Sequence, residues 1–107
     1  MDREGLEVEE VLRRFTTAVG SLGVRLEAAY LYGSFAAGTA DENSDLDVAL
    51  VSEDLERGSL SQWKRIMRLC QVIDTRLEPA LYRREEFKDE EPLAWRIRTS
   101  GRRLPLH

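Results

Sequence analysis

The segment Asp45–Val51, read DLDVALV, alternates with a period of two. In extended backbone, successive side chains leave on opposite faces. Asp45, Asp47, Ala49 and Val51 therefore take one side and Leu46, Val48 and Leu50 the other. The second set packs into the core, which makes this the clearest strand in the chain. The same alternation holds two carboxylates on one face, with β-carbons roughly 6–7 Å apart.

The other elements are arranged around that strand. Val8, Val11, Leu12, Phe15, Val19 and Leu22 recur at spacings of three and four, the apolar stripe of an amphipathic helix from about residue 6 to 20. Gly20 and Gly23 are plausible stopping points for it. Leu26 to Tyr32 reads as a strand ending at Gly33. Gly33 to Gly38 is a tight small-residue stretch, followed by a polar loop. Residues 59 to 71 are expected to be helical, with Trp63, Ile66, Met67 and Cys70 on one face and Ser59 or Ser61 at the start. A further strand is expected from Val72 to Leu81, with Pro79 at an edge, a bulge or the strand end. A short helix is expected from Pro92 to Thr99, closed by Gly101. The last residues form a short edge strand or fray.

The link between the first two strands is too short for a parallel crossover helix. The order helix, strand, strand, helix, strand, helix thus gives an α/β fold, a small mixed sheet with helices packed mainly on one face. Residues 1–107 are expected to form a single domain, since a second core would be too small to hold together.

Composition removes several functional classes. Sixteen Lys and Arg stand against 20 Asp and Glu, a net charge of −4. That balance disfavours broad nucleic-acid binding. Arg96, Arg98, Arg102 and Arg103, in an acid-free final stretch, read as ordinary solvated charge. No apolar run approaches the ~20 residues of a membrane span, and the first residues have no signal-peptide pattern. A cytoplasmic protein without a membrane role is the expectation. Cys70 is the one cysteine and His107 the one histidine. An intrachain disulfide, a structural zinc cluster and a histidine base are accordingly set aside. Trp63, Met67 and Cys70 read as core, and Trp95 with Ile97 as packing or interface residues.

Asp45 and Asp47 repel each other unless solvent or a cation stabilises them. Magnesium suits such a pair because it takes oxygen ligands and often binds jointly to carboxylates and phosphates. The bland alternative is an acidic, solvated strand face. Gly33 and Ser34 lie just upstream, where glycine lets backbone approach a ligand and exposed amides with a hydroxyl can hold phosphate. This is no P-loop, since there is no GKS or GKT and no lysine before Lys64. Candidates for a third carboxylate are Asp74, Glu78 and the pair Glu85 and Glu86. In a strand through this region Asp74, Arg76 and Glu78 share a face. Geometry leaves Asp74 and Glu78 both open, and Glu78 has the alternative of pairing with Arg76.

Residues 33 to 51, GSFAAGTADENSDLDVALV, resemble the signature of the minimal nucleotidyltransferases, small relatives of polymerase beta and kanamycin nucleotidyltransferase. Gly33, Ser34, Gly38, Ser44, Asp45 and Asp47 match it in order. Weaker likeness runs through RLEP at 76 to 79, Phe87, and Pro92 to Gly101. The resemblance implies a polymerase beta-type core in which Gly33 and Ser34 meet the nucleotide phosphates. It further implies that Asp45 and Asp47 bind Mg2+, with Glu78 as the third catalytic and metal-binding carboxylate. The implied reaction is transfer of AMP from ATP to an acceptor hydroxyl, with release of pyrophosphate.

Many such proteins resemble antitoxins paired with a HEPN-domain ribonuclease toxin. The implied acceptor is a tyrosine of that toxin; the alternative is a catalytically weak antitoxin that acts by binding. Two residues depart from the pattern. Ala37 stands where many relatives have arginine, and Glu78 where aspartate is commoner. Arg76 or a later arginine is the candidate replacement for the missing charge. Tyr30 and Tyr32 share a strand face and line either the core or a nucleotide pocket. A homo-oligomer is compatible with so small a core.

Overall fold

Helix α1 (Arg3–Ser21) presents the predicted stripe to the core, and Phe15 and Val19 have no exposed surface. The computed structural model describes residues 3–56 and 58–106, so His107 lies outside the described residues. After Gly23, whose φ of 88° ends the helix in a left-handed turn, the chain enters β1 (Ala28–Tyr32). A one-turn helix, α2 (Ser34–Ala37), occupies the small-residue stretch, and β2 (Leu46–Val51) follows the polar loop. Then come α3 (Leu60–Ile73), β3 (Leu77–Tyr82), a 3-10 turn at Arg84–Glu86, α4 (Pro92–Ser100) and β4 (Arg102–Arg103).

The four strands form one sheet in the order β3-β2-β1-β4. β2 is antiparallel to β1 and parallel to β3, and β4 is antiparallel to β1. The sheet is mixed, as the short β1–β2 link requires; α3 is the crossover that makes β2 and β3 parallel. Pro79 is in β3 at the sheet edge, the place where a missing backbone donor is tolerated.

Leu46, Val48 and Leu50 meet Leu31, Leu77, the α1 stripe, and Ile66 and Cys70 of α3 in the main core. Burial raises the Cys70 thiol pKa to about 11, so it stays protonated and unreactive. The opposite face is not wholly solvated. Ile97 of α4 covers Ala28, Tyr30, Ala49 and Val51, and Phe87 stacks beside Tyr30 with ring centroids 5.4 Å apart. The two long helices thus share one face and α4 occupies part of the other.

Three local expectations need correction. The strand expected from Val72 does not begin there. α3 runs on through Ile73, leaving Val72 on its solvent side, 74% exposed. Asp74 stops the helix: its carboxylate accepts the Arg76 backbone N–H at 2.9 Å, a local turn that competes with another helical bond. Trp63 is 39% exposed, on the flank of the α3 face that buries Ile66 and Cys70. Gly20 remains within α1. At the other ends the expected caps are present. Ser59 accepts the Gln62 N–H at 3.2 Å, and the Gly101 N–H closes α4 onto the Ile97 carbonyl at 2.8 Å.

Candidate active site

Position 33 shows why glycine follows β1. Its φ of 73° with ψ of −151° is open essentially to glycine alone. A β-carbon there would stand 2.3 Å from Oδ2 of Asp47. The strand-to-helix turn and the Asp47 carboxylate therefore occupy adjoining space that no larger residue could share. The next residue, Ser34, is half-buried and starts α2; its carbonyl accepts the Thr39 N–H at 3.0 Å, which folds the turn back toward the polar loop.

That loop delivers Asp45 and Asp47 through its own hydrogen bonds. The Ser44 hydroxyl accepts the Asp41 N–H at 2.9 Å, Asp41 Oδ1 accepts the Asn43 N–H at 2.9 Å, and the Ser44 N–H reaches the Asp41 carbonyl at 3.1 Å. Ser44, read from the sequence only as part of a motif, thus holds the loop in shape. Asp41 was not singled out at all; Asx-turn chemistry ahead of a strand is the signal that could have found it.

Asp47 has Tyr32 as its register partner on β1 and Glu78 as its register partner on β3. Neighbouring strands lie about 4.8 Å apart, so the three side chains stand in a row across one face. Asp45, just before β2, projects to the same side. The proximity is electrostatically visible. The Asp47 carboxyl pKa is raised, first by partial burial and then by the charges of Asp45 and Glu78. The Tyr32 phenol is also raised, by burial and then by Asp47 and Glu78.

Asp74, left open beside Glu78 by sequence geometry, is engaged elsewhere. It receives Arg76 Nη2 at 2.8 Å and Nε at 3.0 Å, and that pairing lowers its pKa. Arg76 also reaches Glu7 at 3.4 Å and lies over the Phe35 ring, 5.9 Å from its centroid. Glu78 consequently takes the row beside Asp47, and Arg76 pairs with Asp74 and Glu7. Glu85 and Glu86 sit in the 3-10 turn after β3, bonded to Arg83.

The Asp74 pairing carries a pH signature. A carboxylate whose folded pKa is depressed contributes stability above its unfolded value, near 3.8, and loses it as pH falls through the folded pKa. Asp74→Asn keeps a turn-forming oxygen but removes the charge. The variant is expected to melt below the parent at pH 6, with the gap closing as melts are repeated below pH 3.8.

A cleft of about 450 Å³ opens beside the carboxylate row, lined by Tyr32, Gly33, Ser34, Ala37, Leu93 and Arg96 among others. Tyr32 and Gly33 belong to both features, since each adjoins Asp47. Tyr32 therefore faces the cleft, whereas Tyr30 is buried against Phe87.

A cation of the magnesium type keeps several waters and needs only one or two carboxylates from the protein, with phosphate oxygens completing its shell. Asp45 and Asp47 fit that demand as all-oxygen donors on one accessible side of β2. Among the described residues, no three acidic, histidine or cysteine side chains are already gathered as a complete cation site.

Residues 21–104 match the family model described as polymerase beta, nucleotidyltransferase. The chain belongs to this nucleotidyltransferase family, whose members generally use a nucleoside triphosphate and a divalent metal ion. It is 31% identical over 51 residues to the protein adenylyltransferase MntA of Shewanella oneidensis, a match spanning 48% of this chain and 36% of that protein. The fold is similar to a crystal structure from Sulfolobus solfataricus described as a nucleotidyltransferase. The TM-score is 0.64 at 16% identity, covering 92% of this chain and 79% of that one. No helix among the described residues is long and apolar enough to cross a membrane.

Proposed function

We propose that the chain is a Mg2+-dependent protein adenylyltransferase that moves AMP from ATP to a hydroxyl of a protein acceptor, a tyrosine on a cognate HEPN-type toxin. The observation that carries this reading is the row formed by Asp45, Asp47 and Glu78 against the Gly33–Ser34 turn, in a chain of this family. The likeness to a protein adenylyltransferase favours a protein as the acceptor. Asp45 and Asp47 are the residues to hold the cation, with Glu78 beside them. When bound, the cation offsets phosphate charge and lowers the pKa of an acceptor hydroxyl.

The chain's own groups supply the rest. Gly33 brings backbone close to the phosphates without a side chain in the way, and the Ser34 hydroxyl donates to a phosphate oxygen. Glu78, exposed on the sheet edge, is open to an acceptor arriving from solvent and can take its proton. The acceptor oxygen then bonds to the α-phosphorus, the bond from that phosphorus to the bridging oxygen breaks, and pyrophosphate leaves. No histidine is needed, because such transfer depends mainly on positioning and electrostatics.

The test is label transfer from α-labelled ATP, with magnesium and a HEPN-type protein as acceptor, against an Asp45→Asn/Asp47→Asn control. Label on the partner that disappears in the control supports the enzyme. A tight complex without label favours the second reading, neutralisation by binding, which the uncharged Ala37 at the cleft wall supports.

A further inference from the structure

The cleft beside the carboxylate row has ten lining residues: three apolar side chains, two glycines, the Tyr32 phenol, three hydroxyls from serine and threonine, and one cation, Arg96. We infer that Arg96 is a phosphate-binding residue, holding the charged tail of a nucleoside triphosphate from the α4 wall of the cleft. The inference rests on the nucleotidyltransferase reading and adds a residue to it.

Charge makes the first argument. A triphosphate laid against Asp45, Asp47 and Glu78 brings several negative charges to a face that already repels its own carboxylates. One cation between aspartates and phosphates cannot neutralise them all, so a fixed positive group on the cleft wall has a large effect. Guanidinium suits that task, since its planar donors match phosphate oxygens in pairs.

Availability makes the second. Arg98, on the same helix, pairs with Asp89; Arg102 pairs with Glu9; Arg103 reaches the Glu27 carbonyl at 3.5 Å. Arg76, the other candidate for the missing charge, is held by Asp74 and Glu7. Among the described residues, Arg96 has no carboxylate partner.

Placement makes the third. Glu91 caps the start of α4 by accepting the Ala94 N–H at 2.6 Å and the Leu93 N–H at 3.2 Å. Ile97 anchors the middle of the helix, 1% exposed. Its end lies so close to β1 that a β-carbon on Gly101 would stand 3.1 Å from the Leu31 carbonyl oxygen. The backbone of Arg96 is therefore fixed relative to Gly33 and Ser34, and only its side chain must order on binding.

Equilibrium binding of ATP and of adenosine, each with magnesium, separates phosphate recognition from recognition of the base and sugar. Arg96→Gln is expected to weaken ATP binding about tenfold or more, the loss typical of one charge-assisted contact, and to leave adenosine binding unchanged. Arg96→Lys should recover part of the loss, and Arg98→Gln should bind ATP like the parent. If the parent binds ATP and Arg96→Gln stays within about twofold of it, less than one such contact contributes, the assignment of Arg96 is overturned while the nucleotidyltransferase reading stands. Equal weakening of ATP and adenosine would mark a change in helix packing and also overturn it. A parent chain that binds no ATP removes both the assignment and the reading beneath it.

Discussion

Asp47→Asn is expected to lower nucleotidyl transfer by more than about a hundredfold, beyond the usual cost of disturbing a group that only orients a ligand. Stability should not fall with activity. The Asp47 pKa is raised, because burial and the charges of Asp45 and Glu78 disfavour its ionised form in the fold. Ionised Asp47 therefore opposes folding, and that opposition is relieved as pH drops through the raised folded value. Asparagine removes the charge and keeps the shape, so the variant should unfold at the same denaturant concentration as the parent or a higher one. Transfer rates and urea midpoints measured on the same preparations check both halves. A variant that unfolds early would make Asp47 a structural residue; one that transfers at the parental rate would remove it from the reacting centre. Asp74 and Asp47, two aspartates in one small chain, thus respond to acid with opposite signs, because one faces a guanidinium and the other is partly buried and faces carboxylates.

Gly33→Ala is expected to be the most damaging single methyl addition in the loop around the site. Two costs combine. The backbone conformation at position 33 is strained for any residue with a β-carbon, by about 1–3 kcal/mol. The new methyl would also displace the Asp47 carboxylate, since 2.3 Å is far inside contact distance. Gly38→Ala separates the two effects. Gly38 also has positive φ, 77°, but a β-carbon there meets nothing within 4 Å. That variant should lose only about 1 kcal/mol and keep its activity. Urea unfolding combined with transfer rates distinguishes them: Gly33→Ala loses both stability and transfer, and Gly38→Ala a little stability alone. Equal losses at the two positions would mean that the close approach to Asp47 has no functional weight.

How much of this was legible depends on the range of the interaction. The period of two in DLDVALV places Asp45 and Asp47 on one face because alternation is a local property of extended backbone. The α1 stripe is equally local. Glu78 was different. Whether it or Asp74 lies beside Asp47 is set by the register of two parallel strands joined through α3, and no short-range pattern encodes that. Resemblance pointed to Glu78; the register puts it opposite Asp47. Val72 misled because β-branched residues favour strands, while continued helical packing of Ile73 carried α3 past it. The spacing of Trp63 points it inward, yet it stands on the flank of the α3 face that buries Ile66 and Cys70 and keeps 39% of its surface exposed. Arg96 was invisible as an individual, one of four arginines in a basic stretch. Only the partners of the other three set it apart.

The parallel pairing of β2 with β3 also sets when the chain becomes competent. Asp45, Asp47 and the Gly33 turn can meet as soon as the β1–β2 hairpin closes, a local event of the microsecond class. Glu78 cannot join them until α3 has folded and swung the chain back alongside β2, a closure over a longer connection. A hairpin intermediate would therefore present two aspartates without their third member. During synthesis, the row is complete only after the segment containing β3 has emerged.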